Sequence, residues 1–327
     1  MKKLLRFASA ALCGAFLLTA AACAGGDSDE TYSVYAPDGA PALALTYAIS
    51  EEDEDFAYHV VDSSTIQTYV TGETPQADFC ILPVNLASKL LGNGSAYRML
   101  GTVTHGNLYF LTVNGEALTS DNLSSLVGKT VGVVQLANVP GLTLQAVLND
   151  YEIDYSVVGN DGALRDDAVN LKALDASAVT PAGGCDYYLC PEPAASTKTA
   201  KTPLVFAGDL QELYGEGGYP QAVIVAKSSL VGTDACDRMI SYMQGSADYL
   251  ASAKADTVVS LLDGKRTEGL TPSFTAENLT AEVIANCSVS FVKSADCKAE
   301  VNSFLEKLMT VKADAASAVS DEFYYLG

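Results

Sequence analysis

The sequence predicts an α/β protein of two lobes, each a mostly parallel sheet flanked by helices. Three observations predict it. Short β-branched and aromatic runs alternate with helical segments along most of the chain. A strand that meets a Pro/Gly turn opening a helix occurs twice, at Ala36–Pro41 and at Ala137–Gly141. A strand that runs into a Pro-containing turn also occurs twice, at Pro83-Val84-Asn85 and at Pro191-Glu192-Pro193. These four turns sit beyond the carboxyl ends of strands, where open α/β sheets bind ligands. The length of 327 residues suits about two units of 100–200 residues each.

The elements follow in order. Tyr32–Tyr35 reads as a strand and Ala42–Ile49 as a helix. Glu51–Asp55 is an acidic, solvated loop. Phe56–Val61 is a strand of β-branched and aromatic residues. Ser63–Val70 is a helix opened by a Ser cap. Ala77–Leu82 is a third strand, followed by the helix Leu86–Leu91. Tyr97–Val103 and Asn107–Val113 are strands, and Leu118–Leu126 is loop with a short helix. Gly128–Val134 is a buried-type strand, and Leu142–Asp150 a helix. Tyr155–Val158, Asp186–Cys190 and Ala222–Ala226 are further strands. Beyond them the chain is mostly helical, with an extended stretch near Val289–Val292.

The chain carries 40 acidic against 19 basic side chains, a formal charge of −21. Binding to phosphate takes stripes of Lys and Arg, and none occurs, so nucleic acid is excluded as a partner. Polybasic attachment to anionic lipid fails for the same reason. With 18% charged and 49% hydrophobic residues, the chain is a folded body, not an acidic disordered tail.

Residues 1–22 read as a signal peptide. Lys2, Lys3 and Arg6 precede the apolar run Phe7–Ala22, which is shorter than the roughly 20 residues that span a bilayer comfortably. Ala20-Ala21-Ala22 fits small-x-small cleavage. Cys23 follows at once, and the stretch resembles a bacterial lipobox with Ala20 in the place usually held by Leu. Residues 23–30 are a flexible polar tether. The expectation is lipidation at Cys23 and an extracytoplasmic protein anchored to the cell membrane by its N-terminal lipid; simple secretion is the alternative. Cleavage removes three basic side chains and no acidic ones, taking −21 to −24.

Six cysteines follow: Cys80, Cys185, Cys190, Cys236, Cys287 and Cys297. They permit up to three disulfides, with Cys185/Cys190 and Cys287/Cys297 nearest in sequence. The alternative is small buried hydrophobes, favoured for Cys80 in its apolar run. There is no Cys-x-x-Cys and no Gly-x-Ser-x-Gly, and two histidines, His59 and His105, cannot make a His-rich metal site. No metal or cofactor is implied.

The segment Val34-Tyr35-Ala36-Pro37-Asp38-Gly39-Ala40-Pro41 is similar to the first strand and helix of solute-binding proteins of bacterial ABC importers, in the group serving nitrate, sulfonates, taurine and thiamine precursors. Leu126-Val127-Gly128-Lys129-Thr130-Val131-Gly132-Val133 resembles the opening of that family's second lobe. Tyr188-Leu189-Cys190-Pro191-Glu192-Pro193-Ala194-Ala195 resembles its Glu-Pro-Ala turn. Tyr219–Val225 resembles the strand returning to lobe one, and Val289–Val292 before the helix Ala299–Leu308 also fits. The resemblance spans nearly the whole mature chain. It implies a periplasmic-binding-protein-like fold of type II, with lobe one at 31–106 and 219–327 and lobe two at 107–218. It implies an interlobe site closed by hinge motion.

Candidate binding residues follow from the four turns and the two crossings. Pro37, Asp38, Gly39 and Ala40 form a turn at a helix N-terminus, suited to an anion or carbonyl group; the alternative is a plain turn with Asp38 as cap. Asn85 either faces the cleft or caps the next helix. Thr104 and His105 sit at the first crossing, as cleft lining or hinge. Asn138 and Val139 mirror the first turn in the second lobe. Glu192 is an acceptor for a donor-bearing ligand or a solvated turn residue. Tyr219 stacks on a flat ligand or belongs to the core. No Lys or Arg lies in these turns, which favours a neutral, aromatic or cationic solute over a small inorganic anion. The expected function is a monomeric, non-enzymatic solute-binding lipoprotein that captures a small organic solute and delivers it to an ABC permease. The alternatives are an exported enzyme using His105 and Glu192 as acid and base, or a ligand sensor that works without a permease.

Overall fold

A computed structural model describes residues 31–92 and 96–327. The expected signal peptide 1–22, the expected tether 23–30 and the expected lipidation at Cys23 lie outside the described residues. The strands, in chain order, are β1 (Tyr32–Pro37), β2 (Phe56–Val61), β3 (Phe79–Pro83), β4 (Tyr97–Thr104), β5 (Leu108–Thr112), β6 (Thr130–Val134), β7 (Tyr155–Val157), β8 (Val169–Leu174), β9 (Tyr187–Pro191), β10 (Val205–Asp209), β11 (Ala222–Lys227) and β12 (Val289–Lys293). They form two six-stranded sheets, ordered β12-β4-β11-β3-β1-β2 and β10-β5-β9-β6-β8-β7.

The direction of each strand follows from the connections. β2, β1 and β3 run parallel, as do β7, β8, β6 and β9. β4 hands the chain straight to β5 in the other sheet, so β5 starts at the edge where β4 stops. It must run away from that edge, and it pairs antiparallel to β9 and β10. β11 enters the first sheet by the same route and pairs antiparallel to β3 and β4. Each sheet is therefore mostly parallel, with the incoming strand reversed, and in the first sheet the edge strand β12 is also antiparallel to β4.

The helices are α1 (Ala40–Leu43), α2 (Thr46–Ser50), α3 (Val84–Leu91), α4 (Val139–Asp150), α5 (Ala194–Lys201), α6 (Leu210–Tyr214), α7 (Asp234–Ser252), α8 (Ala255–Asp263), α9 (Ala281–Asn286) and α10 (Ser294–Val311). α4, α5 and α6 pack on the second sheet and its strands, and the others gather on the first. One continuous core runs through both lobes. It holds Leu82 and Met99 of the first sheet, Phe110 and Val131 of the second, and Phe304 of α10. A second core fills the other face of the first sheet with Val34, Leu43, Ile81, Ile224 and Met239. A third, with Leu111, Tyr188 and Leu204, lies on the far face of the second sheet.

Local chemistry explains the departures from the expected elements. The helix expected over 42–49 is two short ones, α1 and α2, and the Thr46 hydroxyl donates to the Leu43 carbonyl at the break. The expected helix 63–70 is a 3₁₀ turn at Ile66–Tyr69. The Asp62 carboxylate accepts from both the amide and the hydroxyl of Ser64, holding the chain in a local turn that competes with helix. β8 and β10 were not expected. All six cysteines among the described residues are unbridged. Cys185 and Cys190 are separated by an extended segment of roughly 16 Å, far beyond disulfide reach.

Gly141, in the first turn of α4, allows a close approach. A Cβ there would meet the Leu136 carbonyl oxygen at 2.0 Å and its Cα at 2.4 Å. That backbone cannot swing aside, so Gly141→Ala is expected to destabilise the protein by about 1–3 kcal/mol. Urea unfolding checks it, with the midpoint falling and the slope unchanged.

Candidate functional site

The first turn is built around a buried charge. Asp38 continues the β1 ladder by donating its amide to the Val61 carbonyl at 2.9 Å. Gly39 then takes φ 109°, where a side chain is disfavoured, and Ala40 starts α1. The Asp38 carboxylate meets Arg266 Nε at 3.1 Å, and both side chains are 5% exposed. Its second oxygen accepts from the Ser273 amide at 2.6 Å. Arg266 also pairs with Asp263 and donates to the Phe274 carbonyl. No cation lies in this turn by sequence, yet the fold brings Arg266 to it from 228 residues away. That cation is already neutralised by Asp38. Pro37 is buried at the end of β1.

The two crossings hold another group. Thr104 is fully buried, and its hydroxyl is without a hydrogen-bond partner among the described residues. The His105 amide donates to the Ser288 carbonyl, and its Nε2 lies 3.3 Å from Thr102 Oγ1. Burial holds the His105 pKa below its ordinary value, partly opposed by the backbone of Ser290. Gly106 has φ 101°, and a Cβ there would strike Gln211 at 2.6 Å and Tyr219 at 2.7 Å. Asn107 accepts from Gln221 at 2.8 Å, which ties the first crossing to the second. Tyr219 is fully buried and stacks on Phe304 with centroids 5.4 Å apart. Asn85 lies within α3 and donates to the Ala315 carbonyl at 3.0 Å.

The second lobe contributes two turns. Asn138 is exposed and precedes α4 without a side-chain capping bond, and Val139 is buried as the first residue of that helix. Glu192 is only 4% exposed and precedes a cis peptide bond to Pro193. Its Oε1 accepts from Ser196 Oγ at 2.6 Å and from Asn286 Nδ2 at 2.8 Å, and its Oε2 accepts from the Ser196 amide at 3.1 Å. The carboxylate thus sits at the N-terminus of α5, where negative charge is favoured. Asn286 belongs to α9, in the other lobe, and its carbonyl accepts from the Tyr109 hydroxyl at 3.0 Å. Glu192 and Tyr109 of one lobe therefore grip a single residue of the other.

A groove of about 600 Å³ lies beside that grip, between α5 with Phe206 on one side and residues 275–283 on the other. Ser196 lines it and also holds Glu192. Asn278 lines the opposite wall and donates to the carbonyl of Ser273, whose amide holds Asp38. The Glu192 turn is thus one residue removed from the groove, through Ser196, and the first turn two, through Ser273 and Asn278. Asn85 is tied to the C-terminal segment, and Thr104, His105 and Tyr219 are packed inside the crossings. Sequence reasoning missed Arg266, Ser273, Tyr109, Asn286 and Asn107. None stands in a turn motif, and long-range pairing alone assigns them.

The fold has parallels among solved structures. An ABC transporter protein from Parabacteroides distasonis matches with a TM-score of 0.69 at 18% identity, over 90% of this chain and 98% of that one. The periplasmic aliphatic sulphonate binding protein SsuA from Escherichia coli matches with a TM-score of 0.61 at 12% identity, over 91% and 94%. The alkanesulfonate-binding protein SsuA from Xanthomonas axonopodis pv. citri, bound to MOPS, matches at 0.54 and 13%, over 88% and 95%. At such identities the likeness shows the fold. No family model matches the chain, and no curated protein matches it by sequence.

Two outcomes are expected. Arg266→Ala strips the partner from a buried carboxylate and should destabilise the chain by about 3–5 kcal/mol, read by urea unfolding. His105 has a folded pKa below its unfolded value of about 6.5, so unfolding takes up a proton that the folded state refuses. Its contribution is fully present above that pH and is lost as pH falls below it. In His105→Asn, stability between pH 7 and 5, about the range where histidine titrates, should decline less steeply than in the parent.

Proposed function

We propose that the chain is the solute-binding component of an importer, taking a small organic solute between its lobes and delivering it to an ABC permease. The observation that carries this is the topology: two mixed sheets joined by two crossings, with a groove walled by both lobes. The fold shared with binding proteins of importers supports it. On this reading lobe one is 31–106 with 219–327 and lobe two is 107–218. The first 22 residues are a signal peptide, Cys23 carries lipid, and 23–30 tethers a monomeric body outside the cell. None of the helices among the described residues is long and apolar enough to cross a membrane.

The candidate residues divide by role. Pro37, Asp38, Gly39, Ala40, Asn138, Val139 and Glu192 shape the strand-end turns that meet the solute. Thr104, His105 and Tyr219 form the hinge that positions them, and Asn85 braces the third strand-end turn. The protein performs no covalent chemistry on this reading. His105 and Glu192, the acid and base of the enzymatic alternative, are each bonded to neighbours that fix the fold.

A thermal-shift screen of the full chain against sulfonates, amino acids, pyrimidines and flavins tests the proposal. A bound solute at about 1,000 times its Kd should add about 4 kcal/mol of stability, a shift of several degrees. Chemical turnover of a stabilising compound would favour the enzyme instead.

A further inference from the structure

Resting on the solute-binding reading, which requires a joint that opens, we propose that the lobes part on one flank only, with Asn286 as the latch of that flank and the face between α4 and α10 as a fixed back. The two flanks differ in chemistry. On the back, α10 of the first lobe packs on α4 of the second. Phe304 meets the Tyr214 ring edge-on with centroids 5.7 Å apart. Lys307 holds its ammonium 4.7 Å from the centre of that same ring and pairs with Asp150. Beneath them, Leu142 and Val147 of α4 share one buried core with Leu305 and Leu308 of α10. Parting this flank would bring those apolar side chains into water, which the hydrophobic effect opposes.

On the latch flank the bonds across the joint are polar. Asn286 Nδ2 donates to Glu192 Oε1 at 2.8 Å, and the Tyr109 hydroxyl donates to the Asn286 carbonyl at 3.0 Å. Asn286 is only partly buried, so water reaches these atoms as they part and takes over their bonds. The net cost of breaking each is therefore small. The latch residue travels with the first lobe. Its neighbour Cys287 is buried in that lobe's core, and the Ser288 carbonyl accepts from the His105 amide at the first crossing. Glu192 and Tyr109 travel with the second lobe, at the end of β9 and on its partner strand β5. The groove lies on this flank, since Ser196 both lines it and holds Glu192. Parting here widens the groove while the back stays packed.

Double electron–electron resonance on the full chain, with no solute present, tests this. Keto side chains introduced at exposed positions carry the spin labels, which spares the cysteines. One pair of labels, at Lys201 and Glu277, spans the groove, and another, at Asn149 and Glu306, spans the back. The groove pair should show a shorter and a longer distance in the parent. Asn286→Ala and Tyr109→Phe each delete one bond of the latch, and each should raise the ratio of long to short about fivefold. Asn286→Asp keeps the size of the side chain, sets a carboxylate against Glu192 and should raise that ratio further. The back pair should keep one distance in all three variants. Tyr109→Phe removes a single hydroxyl, so it decides the matter if the Asn286 variants fail to fold. Groove distances that stay as in the parent, with only the unfolding midpoint lowered, would mean that Asn286 is structural and overturn the proposal. A back pair that lengthens together with the groove pair overturns it too, because the lobes would then part as whole bodies. Since no solute enters the measurement, its failure leaves the solute-binding reading to the thermal-shift screen, and silence in that screen leaves the distances as they were found.

Discussion

Everything in this molecule depends on the chain passing twice between two sheets through a few buried residues. His105, Gly106 and Asn107 make the outward pass, and Gly218 to Gln221 make the return. The Tyr219 amide donates to the His105 carbonyl and Gln221 pairs with Asn107, so the two passes are bonded to each other. The passes dictate that β5 and β11 run against their neighbours. They also place the carboxyl ends of the parallel strands along one edge of each sheet, β12 of the first sheet excepted. Glycine is required at 106 because φ is positive and Gln211 and Tyr219 press on that position. Aromatic packing of Tyr214 and Tyr219 on Phe304 closes one flank of this joint. The Asn286 grip closes another.

Buried charge is handled differently in the two lobes. Asp38 has a full cationic partner in Arg266, which leaves the first turn electrically quiet. A buried pair of this kind is weak support for stability, but removing either member leaves an expensive orphan. Glu192 is bonded only to neutral groups, Ser196 and Asn286, at the N-terminus of α5.

Much of the fold was legible in the sequence because local signals carried it. The alternation of Phe56–Val61 and the apolar run Thr130–Val134 mark strands without help from the rest of the chain. The paired turns at 36–41 and 137–141 announce two rounds of one plan. β8 was hidden by Asn170 and Lys172, which interrupt its apolar pattern. Asn170 is nevertheless fully buried, since its side chain bonds the backbone of Lys129 and Arg165. β10 was hidden because it is an edge strand with Val205 and Phe206 exposed, and it carries an irregularity near Gly208. The site was less legible than the fold. Its turns could be named, but Arg266 lies 228 residues from Asp38, and Asn286 lies 94 from Glu192. No local pattern encodes such pairings. Two residues close in sequence, Cys185 and Cys190, were kept apart by the strand between them.

Solute capture on the proposed reading requires two lobes that close over the solute. Small-angle scattering of the full chain, with and without a solute that stabilises it, measures this most directly. A hinged two-lobe body should contract on saturation, with a smaller radius of gyration and a shorter maximum dimension. Asn107→Ala, which removes the side-chain bond between the two crossings, should broaden the unliganded distribution of sizes. Identical scattering with the solute bound and absent, at concentrations where binding is saturated, would contradict the closing-lobe account.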